Sequence, residues 1–319
     1  MMFNVPLRCL IVGLNGLDLF FRGGWRLSCL KSRLYLQSGH PPRALESALE
    51  GLDRSPECAE LHYRAGRAAI AMVRYAYART RMAYAVALEP EHYAYRFGLA
   101  YTAQRCGELE IAQREYESIL SVRSEDFNVR LNLSLVYKSL GMFSHALEGF
   151  EDVARQRPKE QKALYGAAVC AHRLKDVRTA HFWAEKCVLA NRKHHKAHLL
   201  LGVLAEQSGY RSRAIGHFND ARQLNPDNGR ALAALGRLHI EDDPARGRHF
   251  LREALLVPDP DTTAHFELAQ YYERRRQLRE ARAEYALYIR YHSGQRAEWA
   301  KTRRIRLHQK ISATEVDET

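Results

Sequence analysis

The sequence contains little of what disulfide-linked or metal-linked folds need. Among 319 residues there are only six cysteines, and no two of them form a C-x-x-C pair. The sequence therefore indicates neither a disulfide framework nor a zinc site. Several cysteines fall where a helix would pack inside, and there a free thiol behaves as a small hydrophobic group. We predict a reducing, cytoplasmic location.

The motifs of common enzyme classes are also missing. There is no G-x-S-x-G, P-loop, G-x-G-x-x-G or H-E-x-x-H string. The segment RKHHKAH does bring His194, His195 and His198 together, with His194 and His198 one helical turn apart. Its flanking arginine and lysines oppose a bound cation, which favours a solvated loop and helix start. We predict a protein that is not an enzyme and has no catalytic residue, cofactor or metal ligand.

Helix-breaking residues are few, with 10 prolines and 19 glycines, while a hydrophobic content of 46% is ample for a core. What the chain does contain is a 34-residue period. A frame that starts at residue 25 recurs at 59, 93, 127, 161, 195 and 229 and, after one lost residue, at 262. The eighth position of each frame is small: Ser32, Gly66, Ala100, Ser134, Ala168, Gly202, Gly236 and Ala269. The twentieth is small too: Ala44, Ala78, Ala112, Ala146, Ala180, Ala214, Gly247 and Ala281.

This pattern predicts a helical hairpin in each frame. Two antiparallel helices approach most closely where both carry small side chains. Turn residues agree, because glycine recurs at position 15 and proline at position 32, where helices end. The glycines and prolines are Gly39, Gly107, Gly141, Gly209, Pro56, Pro90, Pro158 and Pro226.

In repeat length, small positions and closing prolines, the chain resembles the tetratricopeptide repeat family over residues 25–295. The resemblance implies an all-α fold, a right-handed α-solenoid of about eight helix-turn-helix repeats with helical caps. It also implies a scaffold or adaptor for protein binding. Three departures are Lys31 in place of an apolar residue at position 7, Arg192 in place of a closing proline, and the scarcity of aromatic residues at position 4.

The two ends differ in character. Residues 1–24 contain the apolar segment Cys9–Phe21, which we interpret as a solitary second helix capping the solenoid. A signal or membrane anchor and a mis-assigned start are the alternatives. Residues 296–311 predict a basic capping helix that carries Ala297, Ala300, Ile305 and Leu307 between its charges. Residues 312–319 predict an acidic, disordered tail.

The resemblance places positions 2, 5, 6, 9, 12 and 13 of each first helix in a concave groove. In the first five repeats many of these positions are basic, aromatic or amide-bearing, and Glu60 is the one acid among them. Such a groove suits an extended acidic peptide, with a generic solvated face as the alternative. The candidate groove residues are Tyr63, Arg64, Arg67, Tyr101, Arg105, Asn128, Asn132, Lys138 and Arg173.

A second basic surface is predicted at the C-terminal end. Between Tyr272 and Lys310 there are twelve lysines and arginines against four acids, so this stretch holds eight of the twelve net positive charges. RNA, an anionic membrane surface and an acidic protein are all candidate partners for it. The residues that define this basic patch are Arg274, Arg275, Arg276, Arg303, Arg304 and Arg306. We favour the acidic protein partner in the groove, with RNA at the basic patch as the runner-up.

Overall fold

A computed structural model describes residues 24–317 of the chain. This part forms 17 α-helices and contains no β-strand, which confirms the predicted all-α class. The apolar segment Cys9–Phe21 lies outside the described residues. The structure therefore does not test any of the three interpretations of residues 1–24. No helix between residues 24 and 317 has the length and apolar character needed to cross a membrane.

The helices group into two compact units, divided after Leu174. The first unit contains α1 to α9, which are Trp25–Gln37, Pro41–Arg54, Ala59–Ala71, Tyr75–Leu88, Tyr93–Cys106, Leu109–Val122, Phe127–Ser139, Phe143–Gln156 and Gln161–Arg173. The second contains α10 to α17, which are Val177–Ala190, His195–Gln207, Arg211–Leu224, Gly229–His239, Pro244–Leu256, Ala264–Arg274, Leu278–Tyr291 and Gln295–Asp317.

The first helix of a hairpin begins where the 34-residue frame begins, from Trp25 through Gly229. The last such helix, α15, begins at Ala264 rather than at residue 262. The Asp261 carboxylate accepts hydrogen bonds from the backbone N–H and the hydroxyl of Thr263, at 3.0 and 2.6 Å. This local turn competes with the helix and delays its start.

The sixteen small residues at positions 8 and 20 are all buried. A Cβ added at Gly202 would lie 2.6 Å from the Phe218 ring, and one at Gly247 would lie 2.6 Å from the Cα of Ile240. These distances are shorter than any van der Waals contact. Larger side chains at these positions would therefore force the paired helices apart.

Position 15 is a left-handed turn in seven hairpins, whatever residue occupies it. The four glycines there have φ between 76° and 82°, and Val73, Lys175 and Arg276 have φ of 60°, 64° and 58°. Glycine adopts this conformation without steric penalty, whereas an L-residue with a Cβ is disfavoured by about 1–2 kcal/mol. Three hairpins thus carry local strain at their inner turn.

The last helix, α17, packs on α16 and buries Ala297, Ala300 and Leu307 in the hydrophobic cluster of the second unit. Ile305, which we had included among its apolar residues, is 55% exposed. The helix runs to Asp317, six residues beyond the predicted end at Ile311. Neither glycine nor proline follows Ile311, and nothing in the sequence ends the helix there.

Candidate functional site

One continuous surface of the first unit is formed by first helices. Contacts join α1 to α3, α3 to α5, α5 to α7 and α7 to α9. Positions 3, 7, 8 and 10 of α3, α5, α7 and α9 are buried against neighbouring helices. Positions 2, 5, 6, 9, 12 and 13 then share the opposite side of each helix. We call this surface the first-helix face, and it carries the nine candidate groove residues, Tyr63, Arg64, Arg67, Tyr101, Arg105, Asn128, Asn132, Lys138 and Arg173.

Not every cation on this face is available to a ligand. The Glu60 carboxylate lies 2.5 Å from the Arg64 guanidinium, and it also accepts a hydrogen bond of 3.0 Å from the Tyr95 hydroxyl. Burial, together with this carboxylate, raises the pKa of Tyr95, so the phenol stays protonated and holds Glu60 in place. Arg64 is thus neutralised within the fold.

The other four cations among the nine candidate groove residues have no carboxylate within ion-pair distance among residues 24–317: Arg67, Arg105, Lys138 and Arg173. Arg67 lies over the Tyr63 ring at 5.9 Å, and Arg105 lies over the Tyr75 ring at 4.7 Å. Such cation–π contacts orient a guanidinium without neutralising it. Arg67, Arg105 and Arg173 are exposed, and Lys138 is half-buried.

The repeat register explains why these cations stay unpaired. Position 13 is occupied in successive repeats by Ala71, Arg105, Ser139 and Arg173, so each arginine has a small or uncharged residue on the adjacent first helix. The side chains of Asn128 and Asn132, on α7, have no hydrogen-bond partner within the described part of the chain. Tyr101 is half-buried beside them on α5. The face therefore combines unpaired cations, unpartnered amides and aromatic rings.

Position 4 of the repeat makes a recurring polar contact that was not predicted from the sequence. A histidine or arginine there donates a hydrogen bond to the carbonyl oxygen six residues earlier, at the turn that precedes its hairpin. The four pairs are His62 with Pro56, Arg96 with Pro90, Arg130 with Ser124, and His198 with Arg192. We call this contact the position-4 clamp. Its signal was available, because basic residues recur at this position with the period of the repeat.

Acids neutralise two of the six arginines of the C-terminal basic patch. The Arg303 guanidinium lies 2.5 Å from the Glu273 carboxylate, which also accepts a hydrogen bond of 3.1 Å from the buried Tyr285 hydroxyl. Arg274 pairs with Glu241, the residue at the same position of the preceding repeat. Glu241 precedes the stretch between Tyr272 and Lys310, so the local net charge of that stretch does not include it.

Four arginines of the patch, Arg275, Arg276, Arg304 and Arg306, have no ion-pair partner in the described residues. Arg275 lies over the Tyr271 ring at 5.8 Å. A cleft of about 660 Å³ is lined by Arg276 and Arg303, together with Glu273 and Trp299. The structure thus brings part of the patch together around one cleft, but with a carboxylate at its wall.

Three cysteine thiols in the described part of the chain are not activated as nucleophiles. Burial raises the pKa of the Cys170 and Cys187 thiols to about 11. Burial likewise raises the pKa of the Cys29 thiol to about 12. These thiols are protonated at neutral pH, the form that does not attack electrophiles.

Comparisons with known proteins agree with this architecture. Residues 29–79 match the family model described as tetratricopeptide repeat. A tetratricopeptide repeat protein from Parabacteroides merdae is 17% identical with a TM-score of 0.62, and the match covers 77% of this chain and 98% of that one. No curated protein sequence matches the chain.

Two further solved structures share the fold at low identity. YrrB, described as a TPR protein with an unusual peptide-binding site, is 18% identical with a TM-score of 0.54, covering 58% of this chain and 95% of its own. The human IFIT1 dimer with m7Gppp-AAAA is 14% identical with a TM-score of 0.53, covering 97% and 77%. The family match over residues 29–79, the 34-residue hairpins and the shared fold together support a tetratricopeptide repeat protein.

Proposed function

We propose that this repeat scaffold, which has no enzymatic role of its own, binds an extended acidic segment of a partner protein on the first-helix face. The observation that carries the proposal is the row of cations without carboxylate partners, Arg67, Arg105, Lys138 and Arg173. Clustered cations attract an anionic ligand, and a guanidinium pairs well with a carboxylate. An acidic ligand supplies what the fold leaves out along this row.

The residue types suit each part of such a ligand. A guanidinium binds a carboxylate through two parallel hydrogen bonds, and stacking on Tyr63 and Tyr75 orients Arg67 and Arg105 for this contact. The amides of Asn128 and Asn132 match the donors and acceptors of a peptide backbone. YrrB supports the choice of ligand class, since a protein of this fold carries a peptide-binding site.

The spacing of the helices predicts the register of the ligand. Packed helices lie about 8–10 Å apart, and an extended chain advances about 3.3 Å per residue. One cation on each successive first helix therefore matches one acidic residue at about every third position of the ligand. Four helices span roughly nine ligand residues by the same spacing.

The experiment is fluorescence anisotropy with a labelled peptide of about ten residues that has glutamate at every third position. We expect the triple variant Arg67→Glu, Arg105→Glu and Lys138→Glu to weaken binding about thirtyfold or more, from roughly 0.7 kcal/mol for each lost pair. The matched control replaces Arg43, Arg114 and Lys159 by glutamate. These exposed cations lie off the first helices and give the same change in charge.

Three outcomes oppose the proposal. The groove variant could bind as tightly as the wild type, or the control could lose as much affinity as the groove variant. A peptide with the same composition but its glutamates clustered could bind equally well. The first result would show that the peptide does not bind at these residues. The second would show that binding depends only on the net charge of the protein. The third would show that the spacing of the glutamates in the ligand does not matter.

A second candidate function is polyanion binding at the basic patch, favoured by the unpaired Arg276, Arg304 and Arg306 near the cleft at Trp299. The human IFIT1 structure with m7Gppp-AAAA supports it, because a protein of this fold was solved with that ligand. Binding of single-stranded RNA and of heparin across a salt series tests this candidate. A steep salt dependence that is lost when the three arginines become glutamate would favour RNA over the acidic peptide.

A further inference from the structure

Two histidines and one aspartate converge between α11 and α12. Ligand atoms of His198, His217 and Asp220 all lie within 4.8 Å of one another. We propose that these three side chains bind one divalent transition-metal ion of the zinc class. The proposal is independent of the peptide-binding function, because none of the three residues belongs to the first-helix face.

The hairpin positions the three ligands by its geometry. His217 and Asp220 are separated by one helical turn on α12, so their side chains share one side of that helix. His198 faces them from the antiparallel helix α11. Gly202 allows the two helices to approach, because its missing Cβ leaves room for the Phe218 ring.

The hydrogen bonding of His198 is that of a metal ligand. Its Nε2 lies 3.1 Å from the carbonyl oxygen of Arg192, to which it donates, so the remaining nitrogen, Nδ1, carries the lone pair. Histidines that bind metals commonly donate their other N–H to a backbone carbonyl in this way. The position-4 clamp therefore also fixes the tautomer of this histidine.

The Nδ1 atom of His198 points to a missing partner. This atom is buried and has no hydrogen bond, and the side chain as a whole is 9% exposed. It lies 3.3 Å from the Oδ2 of Asp220. A lone pair that faces a carboxylate is repelled unless a cation stands between them. A metal ion and a proton both meet this need, and the experiment below separates the two.

The ligand types favour the metal. Three protein ligands with an open fourth position are a common coordination of Zn²⁺. Two imidazoles and a carboxylate suit Zn²⁺ or Co²⁺, whereas Mg²⁺ and Ca²⁺ prefer oxygen ligands.

This site differs from the histidine cluster that the sequence displays. The Nδ1 of His194 accepts a hydrogen bond of 3.1 Å from the backbone N–H of Ala197 and caps α11. Only His198 of the RKHHKAH segment takes part. Its partners, His217 and Asp220, lie on the next helix. The spacing of the histidines within the segment therefore does not predict them.

The test uses the full chain without an affinity tag, freed of metal by a chelator. Titration with Co²⁺ is followed by visible absorption, and titration with Zn²⁺ by calorimetry. We expect one ion per chain, intense Co²⁺ bands of a four-coordinate site, and a higher Tm when Zn²⁺ is added. His217→Ala and Asp220→Asn should each weaken Zn²⁺ binding at least tenfold. His249→Ala, at an exposed histidine on α14 that also faces a carboxylate, should not change it.

The proposal fails if Zn²⁺ neither binds at one ion per chain nor raises the Tm. It fails equally if His217→Ala and His249→Ala bind Zn²⁺ as the wild type does. In either case the His198 site is a protonated ion pair, and Asp220→Asn would then lower the Tm of the metal-free protein at pH 6. Circular dichroism of each variant guards against loss of fold, and Asp220→Asn retains the shape of the side chain.

Discussion

The first-helix face and the basic patch are both rich in arginine, yet they differ in how much of that charge is available. Of the six arginines of the patch, acids of its own and the preceding repeat neutralise Arg274 and Arg303. Of the five cations among the candidate groove residues, Arg64 alone is neutralised, and the other four have no carboxylate partner in residues 24–317. Local formal charge therefore overstates the charge that an anionic ligand can contact, and more so at the patch.

The difference has a simple origin in the repeat register. Arg274 and Glu241 occupy position 13 of adjacent first helices, so they meet across the helix interface. Arg105 occupies the same position, but the adjacent helices carry Ala71 and Ser139 there. Where a neighbouring repeat carries an acid at the equivalent position, that acid pairs with the arginine. The arginine is then no longer available to a ligand.

The largest expected effect comes from breaking the paired region. Glu273→Ala leaves the Tyr285 hydroxyl buried without its acceptor and Arg303 without its counter-charge. We expect the free energy of unfolding to fall by about 2 kcal/mol, from the penalty of an unsatisfied buried polar group. Urea unfolding followed by circular dichroism measures it.

The control for Glu273 is Glu298→Ala, which removes the exposed ion pair with Lys301. An exposed pair contributes little, so this variant should stay within about 0.5 kcal/mol of the wild type. Equal losses in the two variants would show that the patch has no special network, and the contrast between the two surfaces would disappear.

A smaller effect tests whether the two regions differ in anything besides charge pairing. Val73, beside the first-helix face, and Arg276, in the patch, have nearly the same left-handed φ, 60° and 58°. Val73→Gly and Arg276→Gly should each stabilise the protein by about 0.5–1 kcal/mol, the relieved strain less the added chain entropy. Thermal unfolding measures both. A gain at only one site would mean that the regions differ in backbone strain as well.

The smallest effect sharpens the distinction between formal and available charge. Glu60→Gln removes the charge that neutralises Arg64 but retains an oxygen acceptor for the Tyr95 hydroxyl. We expect affinity for the acidic peptide to rise about threefold, the equivalent of one released exposed ion pair. Anisotropy measures it at matched salt. Unchanged or weaker binding would show that Arg64 does not take part in binding once its neighbour is neutral.

The repeat frame and helix starts could be predicted because they depend on local rules. Small residues at positions 8 and 20 and glycines at the inner turn recur at one period, and each acts within its own hairpin. The pairing of Arg303 with Glu273 could not be predicted, since it depends on how α17 docks on α15 and α16. For the same reason, the sequence could not predict that His198 and Asp220 lie close together, because their contact depends on the register between α11 and α12.

The position-4 clamp also has a consequence for cooperativity along the chain. A clamp ties a hairpin to the turn before it, so that opening one hairpin disturbs its neighbour. At Leu164 and Leu232 position 4 holds a side chain that cannot donate a hydrogen bond. Nearest-neighbour coupling should be weakest there, and amide hydrogen exchange should divide the repeats into blocks at those two leucines. The residue type at position 4 alone would thereby set the boundaries between cooperative blocks in an array of similar hairpins.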